Sequence, residues 1–363
     1  MRPVYLQGRG LVSSLGADLS AALQALGRGG IAPGQVSLPG GTHWPYFSIA
    51  DAEPHWRLRA RRCIEAAMQQ AGVIACRHAP LFVASSSLEI GATESGVACL
   101  DDCLSFAEQI AQWLEWTGPV YLISSACISA LQAMLAAATL IDSGTQDDAI
   151  VLGIELHNRF SLSGFAAMQL LTSTCPKPLG SERDGIALGE AVAVLHLSSR
   201  PARWRMCGGS NIVDGRDPTG TIALTVAQLC RQVLTASGLE AGDIDLIKLQ
   251  AAGSPMNDRN ELTGLAAVFD PLPAVVTFKA ALGHTLGASG AAEIALLTAA
   301  LENKLWPHLN YQLDPGLCAG LCAAPPVSVR YLLAEILGFG GGYAGVILED
   351  TQASSGTVIM SRG

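Results

Sequence analysis

Cys127 is the residue of this 363-residue chain best placed for nucleophilic chemistry. It lies in the stretch Pro119–Leu135, PVYLISSACISALQAML. Val120, Tyr121, Leu122 and Ile123 have the length and composition of a buried strand, which Ser124 and Ser125 break. Leu131, Met134, Leu135, Ala138 and Ile141 then recur at helical steps. Cys127 therefore sits where a strand turns into the first turn of a helix. Unpaired backbone N–H groups there favour negative charge, which biases a thiol toward the nucleophilic thiolate. A buried structural thiol is the commoner fate of a cysteine. The strand–turn–helix setting points to function instead.

A second stretch has a matching layout. Ala274–Ala280 reads as a strand, followed by Gly283, His284 and a helix over Ala288–Leu301. This repeats the order around Cys127 and places a nucleophile and a histidine at equivalent strand ends of a duplicated fold. Lys279 precedes His284 by five residues, although a lone lysine is more often a solvated surface charge.

The surrounding chain alternates strand and helix. Strands are expected at Val4–Val12, Leu81–Ser86, Ala149–Glu155 and Ala191–Leu197, and helices at Leu19–Leu26, Arg57–Ala71 and Leu104–Leu114, with a Pro/Gly-rich loop over Ile31–Pro54. After Ser199 the order begins again, with a strand at Arg203–Gly209, a helix at Ile222–Ser237, and strands at Ile244–Leu249 and Val346–Leu348. Apolar strands alternating with helices predict a layered α/β protein built of two halves, 1–198 with the cysteine and 199–363 with the histidine.

Half of the residues are hydrophobic and 15% are charged, enough for a large core and a buried subunit interface. A net charge of −9 without a Lys/Arg cluster argues against nucleic acid. The ten cysteines show no pairing pattern, and neither Cys99/Cys103 nor Cys318/Cys322 has a zinc-site companion, so reduced thiols and no metal are expected. No apolar stretch has the length of a membrane span and no secretory signal opens the chain, which predicts a cytoplasmic protein. Gly338–Gly342 lacks the helix and acidic residue of a dinucleotide fingerprint, so no cofactor is implied.

Several unlinked motifs resemble the β-ketoacyl-ACP synthases of fatty-acid and polyketide assembly. Ser125-Ala126-Cys127-Ile128-Ser129 resembles the nucleophile motif, and Glu182-Arg183-Asp184-Gly185 with Leu188-Gly189-Glu190 the segment that follows it. Lys279, His284 and Gly287-Ala288-Ser289-Gly290 are similar to the Lys-x4-His segment, and Gly338-Phe339-Gly340-Gly341 to the C-terminal turn whose Phe gates the pocket. The resemblance implies a thiolase-like duplicated fold in five layers, α-β-α-β-α. It further implies an acyl carrier protein as partner, substrate contacts from Phe339 and Gly340, and two-fold pairing through the strand before Cys127.

One departure bears on activity. Elongating members use Cys-His-His, the first His opening a His-Gly-Thr motif. Aligned without gaps through Pro255, Asp258 and Glu261, that position is Gln250; aligned on Gly253 it is Ala252. Neither supplies a histidine. Two histidines would donate to the malonyl thioester oxygen during decarboxylation, and losing one such donor typically costs ~100-fold or more in rate. Gln250 donates a hydrogen bond but carries no transferable proton.

Three readings follow. The chain resembles a chain-length-factor-like subunit of fatty-acid, polyketide or aryl-polyene elongation that pairs with a related synthase as a heterodimer, or with itself as a homodimer. Alternatively, it is itself a condensing acyltransferase using Cys127, Gln250 and His284, oriented by Lys279. A third reading is acyl transfer or hydrolysis without condensation. His157 either lines the pocket or is a hydrogen-bonded structural residue, and Glu182, Arg183 and Asp184 read as an ion-paired turn.

Overall fold

The computed structural model describes residues 2–98 and 102–353. The first half carries strands β1 (Val4–Ser13), β2 (Gly34–Ser37), β3 (His43–Phe47), β4 (Leu81–Ala84), β5 (Val120–Ile123), β6 (Asp148–Glu155), β7 (Leu188–Gly189) and β8 (Ala191–Ser198). Its helices are α1 (Leu19–Gly27), α2 (Trp56–Gln70), α3 (Ile90–Glu94), α4 (Cys103–Trp113), α5 (Ser129–Asp142) and α6 (Arg159–Ala167). The second half adds β9 (Trp204–Val213), β10 (Leu246–Lys248), β11 (Ala274–Val276), β12 (Tyr331–Gly338) and β13 (Gly342–Asp350). Its helices are α7 (Ala223–Ser237), α8 (Pro255–Ala266), α9 (Lys279–Leu282) and α10 (Ser289–Asn303).

The large sheet runs β11-β10-β12-β13-β9-β1-β8-β6-β4-β5. Numbered within each half, the five strands on either side of the β1–β9 seam follow one order, 3-2-4-5-1. The seam itself is brief, pairing Val4–Leu6 with Trp204–Met206. Each half-sheet is covered on both faces. Helices α2 and α4 pack outside the first with Val83, Ile150 and Val194, and α7 and α8 outside the second with Ile247, Leu333 and Ile347. Between them lie α5 and α10, giving five layers. Ala, Leu and Ile recur around the whole circumference of α10, and every residue from Ser289 to Ala300 is buried. A helix with no polar face is stable only when enclosed on all sides.

Four expectations are corrected. The predicted loop over Ile31–Pro54 contains β2 and β3, which pair with each other, and β3 pairs with β7, so a small three-stranded sheet overrides the Pro and Gly signals. The strand at Ala274–Ala280 stops at Val276, and Lys279 instead opens α9. The strand β12 was not anticipated. The strand before Cys127 is the sheet edge rather than a buried strand: Val120, Leu122 and Ile123 are half-buried and Tyr121 is exposed. Cys99 falls outside the described residues; the described cysteines are all unpaired.

Candidate active site

The cysteine and the histidine meet at the centre. Cys127 lies in the turn between β5 and α5, where Ala126 adopts φ +49°, a left-handed conformation that strains a residue with a Cβ and swings the next side chain inward. His284 lies between α9 and α10, after Gly283 at φ +70°; a Cβ at Gly283 would come within 2.7 Å of Phe47, so only glycine delivers the histidine there. His284 Nε2 is 3.0 Å from Cys127 Sγ. On its other side Nδ1 is 3.0 Å from Lys279 Nζ and 3.3 Å from Ser289 Oγ. An ammonium group can only donate, so Nδ1 accepts and the imidazole proton sits on Nε2, aimed at sulfur.

Lys279 is buried, not a surface charge. It donates to one carboxylate oxygen of Glu293 and, at 3.0 Å, to Ser289 Oγ. Lys248 donates to the other Glu293 oxygen at 2.7 Å. Burial works to raise Glu293, but the two ammonium groups outweigh it and hold the carboxyl below its usual range. Burial, then Lys279 and Lys248, push His284 well below the ordinary histidine value, so the imidazole is neutral.

The expected thiolate bias at Cys127 is overturned. Burial pushes its thiol up to about 11, against donation from the backbone N–H of Phe339 and the charge of Lys279. Desolvation of an anion wins over the partial charge of a helix terminus two residues away.

Gln250 follows β10 and lines the same cavity as Cys127 and His284, a space of about 50 Å³ that Phe165 and Phe339 also border. The two rings stack with centroids 5.2 Å apart and planes at 15°. The Gln250 backbone N–H donates to Glu261 at 2.5 Å, while its amide oxygen is buried without a partner. His284 is the one histidine lining this cavity among the described residues. Phe339 borders the space as anticipated, but Gly340 does not: its positive-φ turn carries its N–H to Pro218 at 2.8 Å and leaves it exposed. Ala252, the other candidate for the missing histidine, also lines the cavity.

The lesser candidates resolve as structure. Lys177–Glu182 and Arg183–Asp314 pair at 2.7 Å each, and Thr172 donates to Asp184 at 2.6 Å. His157 packs edge-on against Tyr46 rather than lining the cavity, and its Nε2 has no partner. Cys76, Asp148 and His196 cluster within 4.8 Å, but His196 and Arg200 already occupy the Asp148 oxygen, and the guanidinium opposes a cation. Sequence reasoning missed Glu293 and Lys248, and gave Ser289 only as part of a motif, not as a neighbour of His284 and Lys279. The signal was present: Glu293 and Lys248 are lone charges inside apolar segments, and buried charges need partners.

Residues 97–202 match the profile described as "Beta-ketoacyl synthase, N-terminal domain", and residues 209–312 that described as "Beta-ketoacyl synthase, C-terminal domain", together more than half of the chain. The chain belongs to the β-ketoacyl synthase family. A curated relative, 3-oxoacyl-[acyl-carrier-protein] synthase 2 of Mycobacterium bovis, is 33% identical over 243 residues, covering 60% of this chain and 58% of the relative. The chloroplastic 3-oxoacyl-[acyl-carrier-protein] synthase II of Arabidopsis thaliana is 28% identical over 68% of this chain and 51% of its own length. This β-ketoacyl synthase homologue thus spans little more than half the length of the curated relatives it matches. Among solved structures, the ketosynthase ApeO in complex with its chain length factor ApeC from Xenorhabdus doucetiae superposes with a TM-score of 0.83 at 22% identity, over 96% of this chain and 98% of that one. A β-ketoacyl synthase from Burkholderia phymatum gives 0.81 at 21% identity, over 97% and 100%. These likenesses establish the thiolase-like fold of the ketosynthases.

Proposed function

We propose that this chain is a β-ketoacyl-ACP synthase-like subunit of fatty-acid or polyketide elongation that works as the chain-length-factor-like partner of a complete synthase, with Cys127 able to carry an acyl group. The observation that carries this reading is the buried pair of Cys127 and His284 at 3.0 Å, facing a cavity in which the position that the resemblance assigns to a second histidine holds an amide, Gln250. Acyl transfer needs the Cys127 sulfur, a carrier thioester, and donors for the oxyanion. The backbone N–H groups of Cys127 and Phe339, both beside the sulfur, fit that last role. The sulfur attacks the thioester carbonyl, the carrier thiol leaves, and the thiol proton goes to the leaving group.

Condensation asks for more. Decarboxylation of a malonyl thioester places negative charge on its carbonyl oxygen, and His284 Nε2–H is one donor for it. Gln250 offers the other place, with an amide N–H in exchange for an imidazole. A second reading, condensation by Cys127, Gln250 and His284, is favoured by the unbroken chain Glu293–Lys279–His284–Cys127.

Pairing is part of the proposal. The β5 edge, with Tyr121 exposed, leaves strand N–H and C=O groups free to pair with another chain. The structural neighbours include a ketosynthase in complex with its chain length factor and a type II acyl-carrier protein in complex with its ketosynthase, the two kinds of partner we assign. No described helix is long and apolar enough to cross a membrane; a cytoplasmic location, and the division into halves 1–198 and 199–363, belong to the same proposal. The test is incubation with acyl- and malonyl-carrier protein, alone and with candidate synthases, reading acyl-Cys127 by mass and condensed product. Acylation with condensation only in the presence of a partner is expected. Turnover by the chain alone at ~1 per second or faster removes the partner role, and product release without condensation moves the chain to transfer or hydrolysis.

A further inference from the structure

Two buried lysines share one buried carboxylate in this molecule, and the reading above uses only one of them. Lys248 is 1% exposed and sits on the face of β10 that turns toward α10. Its ammonium meets Glu293 Oε2, while Lys279 meets Glu293 Oε1. A single buried lysine would suffice to neutralise Glu293. The second is an added cation in a low-dielectric interior, where a charge without a counter-charge is costly. It lies two residues before Gln250, which follows the end of the strand.

We propose that Lys248 is a positioning residue for the cysteine–histidine pair: by dividing Glu293 with Lys279 it leaves the cluster one positive charge in excess, which keeps His284 a neutral Nε2–H donor toward Cys127.

The neighbouring charges support that count. From α9 His284 faces Lys279, and from the start of α5 the Cys127 thiol. Glu155, at the end of β6, is saturated by Ser86, Ser87 and the Gly287 N–H, and burial raises its carboxyl. Glu335, next to Lys248 across the β10–β12 ladder, projects to the other face of the sheet toward Cys230; burial pushes it up to about 7 against the attraction of Lys248, so it is neutral and leaves the count unchanged below that pH. Its neighbour Glu261 is raised further by burial and by Glu335 itself. A third cation at His284 would touch Lys279 directly. Both lysines oppose it, so the imidazole stays neutral and its single proton stays on the nitrogen that faces sulfur. The same excess charge attracts an anion at Cys127 or on a substrate oxygen beside it.

The inference rests on the reading of Cys127 and His284 as the reacting pair, and its test reads His284 without substrate. The protein is labelled with ¹⁵N-histidine, and the His284 signals are assigned by their loss in His284→Asn among the seven histidines. In the unmodified protein His284 should show the Nε2–H tautomer and stay neutral from pH 8 to well below the pH at which an ordinary histidine protonates. Lys248→Met should raise its titration midpoint by one pH unit or more toward the ordinary ~6.5, while Lys248→Arg should restore the low value. Lys248→Gln, which can still donate to Glu293, replaces the Met variant if that one does not fold. An unmodified His284 titrating near 6.5, no movement in the uncharged variant, or equal movement in Lys248→Arg overturns the proposal. Loss of condensation with the His284 result intact would instead count against the functional reading alone.

Discussion

Alkylation of Cys127 as a function of pH measures the contest between burial and the helix terminus. Burial raises the thiol from 9.0 to about 11. Two pKa units correspond to ~3 kcal/mol against the thiolate, and at pH 7 they leave ~10⁻⁴ of the thiol ionised where an ordinary one has ~10⁻². The exposed Cys103, Cys175 and Cys318 should therefore react first with limiting iodoacetamide at pH 7, with Cys127 ~100-fold slower from ionisation alone. Its rate should climb ~10-fold per pH unit up to about pH 10, followed by peptide mass on quenched samples. Removing the nearest ammonium in Lys279→Met should slow it further, because Lys279 is the leading charge that favours the anion. The thiolate bias expected from the helix terminus implies the opposite order, with Cys127 the most reactive thiol. Preferential labelling of Cys127 at pH 7, or a rate that levels off above pH 8, would refute the desolvation argument and reinstate the helix terminus as the stronger effect.

Three other outcomes are expected. Gln250→His should raise condensation ~10-fold or more by restoring a second imidazole donor; no change, with Cys127→Ala still abolishing acylation, would show that Gln250 is not the position of the missing histidine. Tyr121→Glu on the exposed β5 edge should lower the apparent mass seen by light scattering without shifting the melting temperature by more than a few degrees, and an unchanged mass would exclude that edge as the interface. Glu335 is pushed by burial from 4.5 to about 7, so it adds stability below pH 4.5 and loses it as pH rises through about 7. Glu335→Gln should therefore raise the melting temperature at pH 8 more than at pH 5, and an equal shift at both would remove the role of its ionisation.

The fold was legible where local pattern and tertiary demand agree. The helix over Ile222–Ser237 and the strands at Ala149–Glu155 and Ala191–Leu197 stand in the structure within a residue or so of their expected ends, because each segment faces one apolar environment along its whole length. The strands β2 and β3 were not legible: four and five residues among Pro and Gly gain their conformation from pairing with each other and with β7. At the site, Cys127, His284 and Lys279 could be placed from motif spacing, and the structure brings them into one hydrogen-bonded chain. The ionisation of Cys127 could not be read that way, since it depends on how deeply side chains distant in sequence, such as Phe165 and Phe339, enclose the sulfur. Gly340 misled because a motif names neighbours in sequence, and its backbone turns away from the cavity.

The position of α10 bears on how the chain is made. This helix belongs to the second half, yet it packs on β1, β6 and β8 of the first half as well as on β12 of its own. During synthesis the first half-sheet is complete at Ser198, whereas the helix that roofs its inner face begins at Ser289. For the ninety residues between, Val151, Ala193 and Leu195 lack one of their coverings and offer a sticky surface to other nascent chains. Vectorial folding is thus incomplete until the ribosome has passed Asn303. A fragment ending at Ser198 should aggregate or bind holdase chaperones, and should be rescued when the segment containing α10 is supplied in trans. A soluble, monomeric fragment with native-like near-UV dichroism would show that the first half needs no such roof.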